Sequence, residues 1–414
     1  MKPTVPLVLL VLLTVAGQSQ AQVKSSILDL TNSVRSILPS LSRPANHSRI
    51  FYAVMFDAGS TGTRIHVYTF IQSLSGNADQ GWALSQGHTV RMLLKVAKKT
   101  VPRLEWKRTP VILRATAGLR LLEAEKAQAL LDQVQHVFDE SPFLVPDNSV
   151  SIMNGTNEGI LAWISVNFLT GHLNAQTQKT VGILDLGGGS TQITFLPKLR
   201  KTIESVPVSD YVAKFGILNS TFQLYTYSLA PRPGLRLLRQ SCCYSLIGLQ
   251  WQVFKSSCLP KKFRDEWSFG GLTYHVSGDP DGYSGYKLCY QEVLKVVKGI
   301  IHQPFELEDS NVFYAFSYYF DRAVEAGLID GVQGGMLEVR DFKKRAKEVC
   351  NKMSKYLLIS PFLCMDMTYI TCLLKDGFGF KERTVLQLTK KVNNVEASWA
   401  LGATLDHFHH LKIH

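Results

Sequence analysis

Val181-Gly-Ile-Leu-Asp185-Leu-Gly-Gly-Gly-Ser-Thr-Gln192-Ile-Thr-Phe-Leu196 is the stretch on which the fold turns. A short apolar run leads into a turn that opens on Asp and continues through glycines and hydroxyls, and a second apolar run follows. The pattern reads as strand, tight polar turn, strand. The same grammar occurs upstream: Phe51-Tyr-Ala-Val-Met-Phe56, then Asp57-Ala-Gly-Ser-Thr-Gly-Thr-Arg64, then Ile65-His-Val-Tyr-Thr-Phe70. One such loop needs no more than hairpin-turn geometry to account for it. Two of the same grammar suggest an internal duplication with a shared task.

The task that suits these residues is holding a phosphate. Glycines let backbone amides approach an anion with no Cβ in the way, and successive amides form an anion-binding nest. Glycines stand at Gly62 in the first loop and at Gly187, Gly188 and Gly189 in the second, and Ser60, Thr61 and Thr63 add hydroxyl donors, as do Ser190 and Thr191. Asp57 and Asp185 are hard oxygen ligands suited to Mg2+ or Ca2+, held through its waters.

Two shorter stretches lie between the loops. Val111-Ile-Leu-Arg114 leads into Ala115-Thr-Ala-Gly-Leu-Arg120, a strand ending in a small-residue turn that contains Thr116. A helix over about Leu121 to Phe138 follows, with apolar positions at helical spacing that belong to a core. Val150-Ser-Ile-Met153 reads as another strand, and Asn154-Gly-Thr-Asn-Glu158-Gly opens a helix running to Leu169. Glu158 falls in its first turn, where an acid is also favoured simply by the positive end of the helix dipole.

A chain of 414 residues exceeds the usual size of one core, so two domains are expected. The net charge of +12 is spread over short clusters such as Lys343-Lys344-Arg345, with no long run of one sign. It reads as a solvated basic surface, and no nucleic-acid-binding motif accompanies it. At the N-terminus Lys2 precedes an apolar run from Val5 to Ala16, and Ser19-Gln20-Ala21 has the small-x-small form of a cleavage site. Residues 1–21 therefore read as a signal peptide, too short to span a bilayer, with an uncleaved anchor as the alternative. No later segment is a membrane-span candidate, and the C-terminal Leu411 to His414 carries no retention signal. The expected location is the secretory pathway, either endoplasmic-reticulum lumen or secreted, and the expected state is a monomer.

All seven cysteines lie at or after Cys242. None has zinc-site spacing. In an oxidising compartment the candidate bridges are Cys258 with Cys289 and Cys350 with Cys364, leaving at least one free thiol. Sequons stand at Asn46, Asn154 and Asn219. Asn46 and Asn219 are the expected glycan carriers, because a glycan at Asn154 would sit four residues from Glu158.

Taken together, Asp57–Arg64, Ala115–Arg120, Asn154–Trp163, Asp185–Gln192 and Asn393–Ala403 resemble the five conserved regions of the ectonucleoside triphosphate diphosphohydrolases, or apyrases, in the same order. The resemblance covers about Phe51 to His414. Ser141-Pro-Phe-Leu-Val-Pro146, Phe313-Tyr-Ala-Phe-Ser-Tyr-Tyr319 and Leu386-Gln-Leu-Thr-Lys-Lys-Val-Asn-Asn394 make it strongest with the soluble nucleoside-diphosphatase branch. It implies an α/β fold of two ribonuclease-H-like lobes, the actin, hexokinase and Hsp70 ATPase superfold, with the active site in the interlobe cleft. The implied division is 48–157 plus 391–414 for the N-terminal lobe and 158–390 for the C-terminal lobe. The implied activity is Ca2+- or Mg2+-dependent hydrolysis of nucleoside diphosphates, UDP and GDP preferred, in support of glycoprotein folding.

The resemblance also assigns roles. Glu158 matches the base that takes a proton from the attacking water, and Ser190 and Gln192 match residues that position that water. Asp57 and Asp185 match the pair that holds the hydrated cation. Ser60, Thr61, Gly62, Thr63, Thr116, Gly187, Gly188 and Gly189 match the phosphate cradle, and Tyr318 or Tyr319 is the candidate for stacking on the nucleobase. This division suits phosphoryl transfer, which needs positioning and charge neutralisation more than covalent chemistry.

Two departures stand out. Ile71 to Gln86 is short and lacks the family's Pro-Gly-Leu-Ser motif. The His-Ser-aromatic-Leu-Gly-aromatic-Gly motif begins as Tyr225-Thr-Tyr-Ser228 and then gives way, from Leu229 to about Phe254, to sequence unlike the family's, carrying Arg232, Arg236, Arg239, Cys242 and Cys243. That segment is expected to form a protease-sensitive insert. If it disturbs the cleft, the alternative is a nucleotide-binding chain with impaired turnover.

Overall fold

The computed structural model describes residues 48–60, 62–73, 82–88, 90–173, 179–217, 220–229, 252–269, 272–280, 282–299, 301–305, 307, 312–358 and 360–410. Two compact units emerge. The first holds the chain up to Ala115 together with Ala124–Ser151, and the second holds Thr116–Glu123 and the chain from Ile152 onward.

In the first unit β1 (Ser48–Gly59), β2 (Gly62–Ser73), β3 (Trp82–His88), β4 (Val111–Ala115) and β5 (Val150–Ile152) form one sheet in the order β3-β2-β1-β4-β5. Ala53 to Phe56 are buried without alternation, as expected of a strand covered on both faces. Helices α1 (Val90–Thr100) and α2 (Ala124–Asp139) pack against this sheet and touch each other. Leu93, Leu94 and Ala97 of α1 are buried, as are Ala127, Leu131 and Phe138 of α2, and the Phe138 ring lies 5.2 Å from that of Phe56.

The second unit repeats the plan. A seven-stranded sheet runs β14-β15-β13-β6-β7-β9-β8, with β6 (Gly182–Leu186), β7 (Thr191–Phe195), β8 (Val212–Ile217), β9 (Ser220–Leu229), β13 (Phe313–Ser317), β14 (Gly335–Glu338) and β15 (Val385–Leu388). In both sheets a leading strand forms an antiparallel hairpin with the next and takes a parallel neighbour on its other side: β4 beside β1, β13 beside β6. Even the register repeats, since Asp57 pairs with Arg64 across the first hairpin and Asp185 with Gln192 across the second. The duplication read from two loops is thus a duplication of sheet topology.

Helix α3 (Gly155–Leu169) is apolar nearly all round and is buried from Glu158 through Asn167. Asn167 ties it to the head of β6: its amide nitrogen donates to the Val181 carbonyl at 3.0 Å, and its Oδ1 accepts from the Val181 N–H at 2.8 Å. Beyond α3 come α4 (Tyr286–Val297), α5 (Tyr318–Glu325), α6 (Val339–Asn351), α7 (Leu363–Cys372) and α8 (Trp399–His410). The family-derived division assigned 391–414 to the first lobe. The contacts of α8 run instead to α3 of the second unit, where the Gly402 N–H donates to Ser165 Oγ at 2.7 Å.

A Cβ at Gly402 would stand 2.0 Å from the Leu161 carbonyl oxygen. Alanine would gain about 1 kcal/mol in helix propensity, but the obstacle is backbone and cannot swing aside, so overpacking of roughly 1–3 kcal/mol should win. Gly402→Ala is therefore expected to lower the melting temperature, and an unchanged or raised value in a thermal melt would contradict this packing.

Bridges join Cys258 to Cys289 and Cys350 to Cys364, the pairs expected from the sequence. They tie the loop after β10 (Gln252–Ser256) to α4, and the end of α6 to α7. Cys372 is a free, buried thiol. Leu229 and Phe254, the ends of the segment unlike the family's, are both packed in apolar clusters. Arg232, Arg236, Arg239, Cys242 and Cys243 lie outside the described residues, as do the signal peptide, Asn46, Asn219 and Thr61. Among the described residues no helix is long and apolar enough to cross a membrane.

Candidate active site

Asn154 caps α3, accepting the Asn157 N–H on its side-chain oxygen at 2.7 Å. This start places Glu158 in the first turn with its side chain 8% exposed. Its carboxylate accepts from Arg120 Nη2 at 2.9 Å. Arg120 ends the short helix Ala117–Arg120 that follows β4, and it is held there by the Met153 carbonyl and by Ser190 Oγ at 3.2 Å. Thr116 is buried at the head of that short helix, its carbonyl accepting from the Leu119 and Arg120 N–H groups.

Ser190 and Gln192 come from the second hairpin. Its loop is closed by the Gly187 N–H donating to the Ser190 carbonyl at 2.9 Å and by Thr191 Oγ1 donating to the Asp185 carbonyl at 2.7 Å. Gly187 and Gly188 face solvent, whereas Gly189, Ser190 and Asp185 are buried. Gln192 Nε2 donates to Ser190 Oγ at 3.0 Å and to Ser228 Oγ at 3.1 Å. Its Oε1 is buried and has no hydrogen-bond partner among the described residues.

Burial is the largest influence on Glu158 and raises its pKa. Arg120 pulls it down, the Asp185 carboxylate raises it, and hydrogen bonds from Arg120 and Ser190 pull it down again. Burial prevails, and the carboxyl is pushed up to about 7. A carboxylate so poised is suited to take a proton near neutral pH. The structure thus gathers Glu158, Asp185, Ser190 and Gln192 into one cluster.

Arg120 and Ser228 belong to the same cluster and were not singled out from the sequence. Arg120 closes one of the quoted segments, and a lone cation after a small-residue turn was the available signal. Ser228 sits at the edge of the divergent stretch, and its place in the broken His-Ser-aromatic motif was the available signal.

In the first unit Asp57 near the end of β1, Ser60 in the turn and Thr63 at the start of β2 are half-buried, and Gly62 is exposed. The two tyrosines part company. Tyr319 is fully buried in the core of the second unit, which corrects its candidacy for stacking on a base: no ring face is accessible. Tyr318 is half-buried, with the Arg322 guanidinium 5.1 Å from its ring centre.

Carboxylates and hydroxyls, with no thiol or imidazole in the cluster among the described residues, form the oxygen-ligand set of a hard cation. Asp185 and Glu158 are two buried carboxylates close enough for one to raise the other's pKa. A divalent cation would relieve that repulsion, so the residues present fit such an ion.

A duplicated sheet with paired Asp-Gly-hydroxyl hairpins, and a buried glutamate over the second, define a phosphatase of the actin-like ATPase fold. The chain belongs to the GDA1/CD39 (nucleoside phosphatase) family, whose model matches residues 43–86 and 82–414. It is 54% identical to chicken ectonucleoside triphosphate diphosphohydrolase 5 over 400 residues, covering 91% of this chain and 92% of the relative. It is 53% identical to the human nucleoside diphosphate phosphatase ENTPD5 over 380 residues, 87% of either chain. With human ectonucleoside triphosphate diphosphohydrolase 6 it shares 45% identity over 90% of this chain and 79% of the relative. Among solved structures, the nucleoside triphosphate hydrolases from Neospora caninum superpose with a TM-score of 0.59 at 11% identity, over 96% of this chain and 98% of theirs, a likeness of fold alone.

Proposed function

We propose that this chain hydrolyses the terminal phosphate of nucleoside diphosphates, UDP and GDP foremost, with Glu158 as the base. The observation that carries the reading is the Glu158 carboxylate, buried and raised to about 7, fixed by Arg120 and Ser190 beside Asp185. The name of the human relative, nucleoside diphosphate phosphatase, supports the choice of diphosphate.

Asp185, and by repetition of the hairpin Asp57, would hold a hydrated Ca2+ or Mg2+. When bound, that ion supplies charge neutralisation for the phosphate oxygens. Ser60, Thr61, Gly62, Thr63, Thr116, Gly187, Gly188 and Gly189 are the proposed phosphate cradle, and Tyr318 the proposed base contact. Gln192 and Ser190 align the attacking water, and Glu158 accepts its proton. No covalent intermediate is needed. The signal-peptide pattern, the two bridges and the sequons at Asn46 and Asn219 support work in the secretory pathway, where removal of nucleoside diphosphates would favour glycoprotein folding.

Phosphate release from UDP, GDP, ADP and ATP, each with Ca2+ or Mg2+, tests the reading. UDP and GDP should exceed ATP, and equal or greater release from ATP would overturn the diphosphate assignment. The pH profile is a separate check. Glu158 works only when ionised, so kcat should fall toward tenfold per pH unit below its pKa, which burial raises to about 7 without a cation and which a cation beside Asp185 lowers from there. An acid limb that survives unchanged in Glu158→Gln would remove Glu158 from the base role.

A further inference from the structure

We infer that Ser228 is a positioning residue for this reaction, holding the Gln192 side-chain amide in one orientation from a place kept open for it by Gly155. The inference rests on the reading of Gln192 as a partner of the attacking water.

The amide orientation follows from the hydroxyls around it. Ser190 Oγ accepts from Arg120 Nη2 at 3.2 Å, so a donor from Gln192 suits it too. The NH2 end of Gln192 faces both serines, 3.0 Å from Ser190 Oγ and 3.1 Å from Ser228 Oγ. With both donors engaged, the buried Oε1 points away from the two serines, free to accept an O–H. Without Ser228 one N–H of a buried amide loses its acceptor, and the amide can turn over so that Oε1 and NH2 exchange places.

Ser228 is kept where it is by the helix that carries the base. A Cβ on Gly155 would stand 2.1 Å from Ser228 Oγ and 2.6 Å from its Cβ. One turn later, a Cβ on Gly159 would stand 2.5 Å from Thr194 Oγ1 and 2.9 Å from Thr226 Oγ1, hydroxyls that bond each other at 2.9 Å. Gln192 pairs with Ser228, and Thr194 with Thr226, across β7 and β9. Two cross-strand pairs thus lie under two glycines one helical turn apart, with Glu158 on the same helix between them. The base and the glutamine that aligns the water are set at a fixed separation by this contact, which tolerates little movement in a close-packed site.

The experiment uses the full chain. Ser228→Ala should lower kcat for UDP about tenfold, a hydrogen-bond-sized effect, with KM within about twofold of the parent. Gln192→Ala should lower kcat further, and adding Ser228→Ala to it should cost nothing more, because the serine acts through the glutamine. Gly155→Ala should lower both melting temperature and kcat. Adding Ser228→Gly makes room for the new methyl, so melting should recover while kcat does not.

A spectroscopic arm needs no turnover. In a sample labelled with 15N-glutamine, the Gln192 side-chain NH2 signals, assigned by their loss in Gln192→Ala, should exchange slowly with solvent, and faster in Ser228→Ala. Losses that simply add, a Ser228→Ala kcat within twofold of the parent, or NH2 signals indifferent to Ser228 would overturn the inference. Absence of phosphate release from every nucleotide in the parent would instead overturn the proposed function, with the NH2 exchange still deciding on Ser228.

Discussion

Glu158→Gln should yield a folded chain that still binds nucleoside diphosphate but turns it over about 10²–10⁴-fold more slowly, the usual cost of losing a general base. The amide keeps the shape and can still accept the Arg120 N–H that now meets the carboxylate at 2.9 Å. Arg120 is therefore not stranded in a buried site, and it keeps Ser190 Oγ as a second acceptor. The substitution removes a proton acceptor and a negative charge, and little else. Binding should therefore persist, because the nucleotide's phosphates are attracted by the loops rather than by a carboxylate. The measurements are phosphate release and nucleotide affinity by calorimetry on the same preparation. A variant retaining more than about a tenth of parental kcat would mean that the proton leaves the water by another route.

The elements that could be read in advance were those whose signal is local. Asp57–Arg64 and Asp185–Gln192 announce hairpins because Gly and Asp at a chain reversal flanked by apolar runs have few other uses. Their equivalence extends to the register, with Asp opposite the last residue of each quoted loop. The helix from Gly155 was legible from its opening, where Asn154 supplies a capping oxygen. What escaped were relations between distant residues. That Arg120 reaches Glu158 and Ser190 depends on how a four-residue helix meets α3, which no periodicity encodes. Tyr318 and Tyr319 look alike in sequence, yet one turns into the core and the other does not, because successive residues on α5 point about 100° apart. Ser228 was hidden by its neighbourhood: the chain beyond it departs from the family's pattern, while Ser228 itself remains paired with Gln192.

Removing divalent cations should reduce phosphate release to background, and Ca2+ or Mg2+ should restore it to within about twofold, with Zn2+ restoring less than about a tenth. The reason lies in the charges the site already holds. Asp185 and Glu158 are both buried, and the charge of Asp185 disfavours ionisation of Glu158. A diphosphate brought to the same loop adds further negative charge, and in a poorly solvated site each close like-charge pair costs on the order of several kcal/mol. Arg120 is already engaged by Glu158, Ser190 and the Met153 carbonyl, so its charge is largely committed. Backbone amides and hydroxyls offer only partial charges. Two carboxylates without a thiol or imidazole favour a hard, strongly hydrated ion over zinc. Asp185→Asn supplies the local test: the cation concentration giving half-maximal release should rise about tenfold or more, while EDTA still abolishes what activity remains. Full activity from protein and nucleotide both stripped of metal would refute the cation requirement outright. An Asp185→Asn variant with unchanged cation dependence would move the ion away from the second hairpin.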